Sequence, residues 1–555
     1  MTVSVEELDR WDAGDVREAF HATRTRAEAA HEAANGIAEL PAFGSWGGDA
    51  ADAAKDAIAR TRQDLEAHGD EALAVARAAG MAADDVELVK SRLSQLRTEA
   101  ESLGMVVDPV SNTIEPGPGA AGANPMEIML AQAQLQPQLN AILAEAARVD
   151  RELASAVNMA IGESPIPEGP HTNDPELQEA LSRPLPDDPQ QFHDLWEKLD
   201  QEERDWLYER DHSIGNHPGM PFVDRDTYNQ RHLDELITAS QGNVDRMQQR
   251  FDELARGVYM GDRSAARPDE LAALGSQLTA ARHQLDGYRA VNGVLENKDG
   301  LPRYLALVDS QGHAAVSIGN PDTASRTATF VPGTGQDMAA FQGSDRKSGE
   351  MFRATLLADP RLTADDVAVT TWMDYDRPMG IGEAAFPGRA EIGGAALDSY
   401  LNGMHASHEG PPAIDTVIGH SYGSTLVGGA ATDGNHLAAD NVIAVGSPGM
   451  LTEHASGLSL DPGATVYSMT ARNDIISLAT DLTLGADPFG PDYGATRLWA
   501  NPGPSWDPTG IIGGVEAHSS YWGSQSNPAL ENMGAIIAGL PPSQLVTPEG
   551  VVPGS

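Results

Sequence analysis

Cysteine is absent from all 555 residues. That excludes structural disulfides, thiol nucleophiles and zinc–thiolate centres together, although it leaves the cellular compartment open. Basic residues are scarce: 37 Lys and Arg stand against 82 Asp and Glu, a formal net charge of −45. A field of that sign repels phosphate backbones and anionic lipid surfaces, so nucleic acid is not an expected partner. Long apolar runs are also missing; no stretch approaches the roughly 20 apolar residues of a transmembrane segment. The opening MTVSVEELDRWDAGDVREAF carries acids where a secretory signal needs basic residues and then an apolar core. A soluble protein without a Sec-type signal is expected.

What is present has two textures. Residues 1–300 are rich in Ala, Glu, Gln, Arg and Leu at helical spacing, whereas from Leu301 short β-branched runs alternate with Gly-rich turns and helical stretches. The second pattern is that of βαβ units. The expected organisation is a helical hairpin region over 1–120, a helix and Pro-rich linker over 121–191, a helical hairpin over 192–300 and an α/β catalytic domain over 301–545. In the first region Phe43-Gly44-Ser45-Trp46-Gly47-Gly48 reads as a reversal between helices, the indole sealing the hairpin. A small strand hairpin and a flexible linker follow over 105–125. In the third region Ile237, Val244 and Phe251 recur every seven residues, and Leu271, Leu278 and Leu285 repeat the register. This predicts two long antiparallel helices with a structural role, or else a face for a helical protein partner.

Beyond Leu301 the candidate strands are Tyr304–Val308, Ala314–Ile318, Ala328–Val331, Val367–Trp372, Thr416–Ile418, Val442–Val445 and Val466–Met469. With helical stretches between them they predict an α/β fold, a mostly parallel sheet with helices on both faces. Gly419-His420-Ser421-Tyr422-Gly423 follows one of these strands directly, and a helical stretch begins near Ser424. A G-x-S-x-G so placed is a nucleophile elbow, its glycines required by a sharp turn that holds the serine at the head of a helix.

A serine hydroxyl needs a base and an orienting acid, in the chain order Ser, Asp, His. Asp474 ends VYSMTARND after a strand, and His518 stands in GVEAHSSYW. Asp487, in a Pro/Gly loop, and Asp440, which precedes a strand, are the competing acids; His436 and His454 follow the elbow too soon. The oxyanion donors expected are the backbone N–H of Tyr422 and the loop Gly333-Thr334-Gly335. Tyr521 and Trp522 either line an acyl pocket or pack under the last helix. His405 and His408 are three apart with no evident third ligand, so neither a metal nor an organic cofactor is expected.

Taken together, VSIGNPDTASRTATFVPGTG (316–335), GHSYGS (419–424), AVGSPGM (444–450), ARNDIIS (471–477) and AHSSYW (517–522) resemble an actinobacterial α/β-hydrolase family known chiefly as a domain of unknown function. GNHPGMPFVDRDTYNQRHL (215–233) resembles its usual prelude. The resemblance implies a serine-hydrolase fold with nucleophile, acid and base at Ser421, Asp474 and His518, and supplies no established substrate. The block around Trp46-Gly47-Gly48 is similar to the small W-x-G helical hairpins exported by type VII secretion systems. The Tyr-x-x-x-Asp/Glu signal of such systems follows none of the eleven tyrosines. The expectation is therefore a serine hydrolase acting on a small-molecule or lipid ester, cytoplasmic or exported by a type VII-like route. The alternatives are a secreted effector or toxin directed at lipids, and an inactive scaffold that binds protein.

Overall fold

The computed structural model describes residues 3–38, 49–120, 125–160, 177, 180–181, 185–259, 268–296, 299–380, 382–478, 484–505, 516–523 and 526–548. The turn expected at Trp46-Gly47-Gly48 lies outside these residues. Two compact units emerge, Met1–Leu185 and Pro186–Ser555, each with its own core.

The first unit is helical. Its elements are α1 (Val5–Arg10), α2 (Ala13–Ala38), α3 (Asp49–Ser102), the antiparallel hairpin β1 (Met105–Asp108) and β2 (Thr113–Pro116), and α4 (Pro125–Ala160). Ser4 starts α1 with a capping box that pairs it reciprocally with Glu7, satisfying two otherwise orphaned donors. Leu93 and Leu96 of α3 meet Leu135, Leu139 and Ile142 of α4 in one buried cluster that also takes in Met105 and Ile114 of the hairpin. Gln136 of α4 locks the hairpin, accepting from Ile114 N–H at 2.8 Å and donating to Asn112 O at 3.0 Å.

The second unit opens with α5 (Pro189–Trp196), α6 (Gln201–Arg210), α7 (Phe222–Tyr259) and α8 (Pro268–Leu295). Then come β3 (Arg303–Val308), β4 (Ala314–Ile318), β5 (Arg326–Val331), α9 (Phe341–Ala358), β6 (Val367–Met373), α10 (Gly388–Ser407), β7 (Ile414–His420), α11 (Tyr422–Gly429), β8 (Asn441–Val445), β9 (Thr465–Met469), β10 (Thr496–Arg497) and α12 (Pro528–Ile537). The eight strands of this unit form one sheet in the order β10-β9-β8-β7-β5-β6-β4-β3. Every pair from β10 to β6 is parallel; β4 pairs antiparallel with both β6 and β3.

Strand alternation divides the core between two faces. Val331, Val417, Val442 and Ala444 point towards α10 and α11, while Phe330, Ile418, Ile443 and Val445 point towards α9 and α12. Both faces are covered, which is why these strands read as continuous apolar runs. The α7–α8 pair is antiparallel, with Val244 packed among Leu278, Ala281 and Leu285 and Arg289 donating to Gln241 at 2.6 Å. Its base is not independent of the sheet: Leu233, Tyr288, Val291 and Val294 share a cluster with Leu305, Val308, Ala314 and Val316 of β3 and β4. No helix among the described residues is long and apolar enough to cross a membrane.

Candidate active site

Strand β5 lies between β6 and β7, so the chain departs to opposite sides there. The crevice beyond the carboxyl ends of β5 and β7 is the switch point at which open α/β sheets bind ligands. Ser421 stands at that end of β7, immediately before α11. Its φ of 56° and ψ of −132° are a conformation that costs a non-glycine residue about 1–3 kcal/mol. Fixed partners hold it there: Ser421 N–H donates to Val445 O at 3.0 Å, and Ser424 Oγ donates to Ser421 O at 2.5 Å. The flanking glycines are obligatory by close approach. A Cβ on Gly419 would fall 2.4 Å from Ser424 Cα, and one on Gly423 would fall 2.1 Å from Val331 O.

Asp474, in the loop after β9, and His518, in the segment before α12, meet directly. The imidazole Nδ1 lies 2.9 Å from each carboxylate oxygen. Tyr521 adds a third partner that sequence reasoning had left between two roles: its hydroxyl donates to Asp474 Oδ2 at 2.5 Å and accepts from Ala471 N–H at 3.0 Å. Burial, reinforced by the neighbouring Asp474, pushes the Tyr521 phenol well above its ordinary pKa and keeps it a donor. Ile476 N–H completes the set on Oδ1 at 2.9 Å. The acid is thus fixed on both oxygens, and its orientation fixes that of the imidazole.

His420, the variable residue inside the elbow, was not anticipated as functional. Its Nε2–H donates to His518 O at 2.8 Å, so the ring next to Ser421 in the chain holds the backbone of His518. Burial, aided by Lys347 and His518, pushes His420 well below the ordinary imidazole pKa, which keeps it neutral. Ser421 approaches Asp474 and His518 by way of Gly446. A Cβ placed there would lie 2.9 Å from Asp474 Oδ2 and 3.3 Å from His518 Cε1, and Gly446 follows the Val445 whose carbonyl holds Ser421 N–H. No hydrogen bond joins Ser421 Oγ to His518 Nε2 in this structure; in unliganded sites of this kind that bond is often long and tightens on substrate.

The oxyanion side differs in one particular from expectation. The loop after β5 does lie against the elbow: a Cβ on Gly333 would be 2.6 Å from Ser421 Cβ and 3.0 Å from Tyr422 N. The N–H of Gly335, however, is spent on Pro378 O at 2.9 Å. That leaves Gly333 and Thr334, whose N–H groups have no partner among the described residues, and Tyr422, the first residue of α11, as the free donors. The Tyr422 phenol serves elsewhere, donating to Phe386 O at 2.6 Å. Buried Arg377 ties this loop down, donating to Gln336 O at 2.8 Å, to Met373 O at 3.1 Å and to Tyr375 O at 2.9 Å. Nothing local in the sequence marks it.

The competing residues stand apart. Asp487 accepts from Phe489 N–H at 2.9 Å within its own turn, and Asp440 accepts from Asp415 N–H at 2.9 Å at the start of β8. His436 contacts Ser459 and Asp461, while His454 contacts Ser456. His405 bonds Asp415 and His408 bonds two carbonyls, so that pair does not converge. Among the described residues one group, Asp309, His313 and Asp374, has ligand-like spacing. Both nitrogens of His313 face carboxylates, Nδ1 at 2.8 Å from Asp309 and Nε2 at 3.4 Å from Asp376. An imidazolium satisfies that arrangement and has no lone pair for a cation.

Comparison with known proteins agrees with this architecture. Residues 309–483 match a family described as alpha/beta hydrolase, and residues 41–186 match one described as uncharacterised protein Rv0964c. Uncharacterized protein Rv2079 of Mycobacterium tuberculosis is 30% identical over 384 residues, which cover 63% of this chain and 55% of the relative. Uncharacterized protein Rv0963c of the same organism is 28% identical over 212 residues, 37% of this chain and 77% of the relative; Mb0988c of Mycobacterium bovis matches to the same extent. The chain therefore spans about half the length of the first of these relatives. No solved structure matches significantly. The mostly parallel sheet, its flanking helices and the match over residues 309–483 together give the C-terminal part of this chain the α/β-hydrolase fold.

Proposed function

We propose that the protein is a serine hydrolase that forms an acyl-enzyme on a carboxylic ester of a small molecule or lipid. The observation that carries this reading is the Asp474–His518 pair standing over Gly446, next to a serine held in a strained elbow. His518 Nε2 takes the hydroxyl proton as Ser421 Oγ attacks the ester carbonyl, and the imidazolium then gives that proton to the departing alcohol. Water repeats the sequence on the acyl-enzyme: His518 removes its proton, the carboxylic acid leaves, and Ser421 Oγ recovers a hydrogen. The N–H groups of Tyr422 and Thr334 hold the oxyanion in both tetrahedral intermediates. Asp474 keeps the proton on Nδ1, so that Nε2 is the basic nitrogen.

A fluorophosphonate probe tests the chemistry without knowledge of the substrate. Covalent labelling on Ser421, lost in Ser421→Ala, is the expected result. A folded wild-type protein that takes no label would overturn it. Esters of 4-nitrophenol with lengthening acyl chains then measure the size of the acyl pocket.

A further inference from the structure

Next to the Ser421–His518 site, against α9, lies a cavity of about 420 Å³ walled by Gln336, Arg346, Lys347, Glu350, Ser519 and Trp522. Ser519 follows the histidine base and Gln336 ends the loop that lies on the elbow, so the cavity shares walls with the reacting groups. Lys347 is its unusual feature. The ammonium sits 4.6 Å from the Trp522 ring centroid and 6.0 Å from that of Phe330, yet it makes no hydrogen bond or ion pair among the described residues. Exposed Arg346 is also without one.

A half-buried ammonium set against aromatic faces at the wall of a cavity keeps its donors free for an acceptor that enters it. Burial, with Arg346 adding to it, pushes Lys347 down to about 8, as expected of a cation lacking a close counter-ion. A second orphan donor is nearby: Trp522 is only 7% exposed, and its Nε1–H has no partner. Glu350 is the one carboxylate in the wall. Burial pushes its pKa up, Gly523 N–H lies against it and its Oε2 has no hydrogen-bond partner, so two cations face a single acid.

We propose that this cavity is an anion subsite that receives a carboxylate or phosphate group of the ester substrate, with Lys347 as its principal donor. As a substrate subsite it rests on the hydrolase reading; as an anion site it does not. A chain with a net charge of −45 repels anions over most of its surface, and a local cationic well beside the nucleophile is what an anionic ester requires. Charge-assisted bonds from a preformed, partly desolvated donor are among the stronger polar contacts available.

Calorimetric titration of the full chain with glutarate and, separately, with inorganic phosphate distinguishes the two sources of negative charge. Saturable binding of at least one is expected, weakened about tenfold in Lys347→Met or Lys347→Gln and largely restored in Lys347→Arg. In turnover, mono-4-nitrophenyl glutarate should exceed 4-nitrophenyl valerate in kcat/KM by about tenfold in the wild type, and that ratio should collapse towards one in Lys347→Met. Binding of neither anion, or equal binding by wild type and a folded Lys347 variant, overturns the proposal. If both variants fail to fold, the wild type still decides: anion binding that is insensitive to added sodium chloride rules the subsite out. Anion binding without fluorophosphonate labelling of Ser421 would sink the hydrolase reading and leave the anion site; labelling without anion binding would sink the subsite alone.

Discussion

Asp474 and Asp487 are chemically equivalent, and both stand between Ser421 and His518 in the chain. Their surroundings separate them. Asp474 meets an imidazole, a phenol and a backbone N–H, whereas Asp487 turns back on Phe489 N–H. Asp474→Asn should therefore lower ester turnover by about 10⁴-fold, through loss of the correct tautomer, with Asp487→Asn within about twofold of wild type. Steady-state rates on one activated ester decide it, and the reverse order would move the acid to Asp487. Ser421 and Asp474 follow readable strands and His518 precedes a readable helix, so all three stand out as candidates from local context, but which acid meets the imidazole does not. His420, Tyr521, Arg377 and Lys347 do not. His420 and Tyr521 bond residues remote in the chain, Arg377 reaches back to Gln336, and nothing in HSY, DRP or RKS advertises such contacts.

Among the elements, the β3–β4 hairpin and the loop after β6 are joined by one buried charge. His313 lies in the hairpin turn, Asp374 and Asp376 in the loop, and Arg377 of that loop ties down the segment over the elbow. Burial alone would lower the His313 pKa. Asp309 above all, with Asp376 and Asp374, overrides it and holds the value up to about 10. A folded-state value raised above the ordinary 6.5 means that this contribution to stability is complete below pH 6.5 and is lost as pH rises towards 10. Urea denaturation midpoints should fall over that window in the wild type. His313→Gln should be less stable at pH 6.5, by about 1–3 kcal/mol, and should show a flatter profile above it. Parallel profiles for the two proteins would exclude the mechanism. Most strands were legible because their β-branched runs are local; β10, only Thr496–Arg497, was not, because so short a strand exists only by pairing with β9. The spending of Gly335 N–H on Pro378 O likewise depends on two loops meeting.

At the scale of the molecule, each unit closes its own core. The seven-residue register of α7 and α8 announces their mutual packing, but not the fate of Leu233, Tyr288, Val291 and Val294, which cover β3 and β4. The prelude helices are thus part of the α/β core. A fragment of residues 186–555 should fold and take a fluorophosphonate label at the rate of the full chain. A fragment beginning at Leu301 should be insoluble or unlabelled, because Leu305, Val308, Ala314 and Val316 lose their cover. Expression of both, with circular dichroism and probe labelling, separates this from an α/β domain that stands without its prelude.

Local conformation was settled by the sequence alone: strand, sharp turn and helix around Ser421, apolar runs doubly buried in the sheet, and a heptad pair in the helices. These depend on neighbours within a few positions, where steric rules and periodicity act directly. Tertiary structure alone decided the strand order, which acid faces His518, which N–H groups in the loop after β5 stay free, and that Lys347 stands against Trp522 without an ion pair. Each of those is a contact between segments remote in the chain, set by how two packed faces close on one sheet rather than by any preference of the residues themselves.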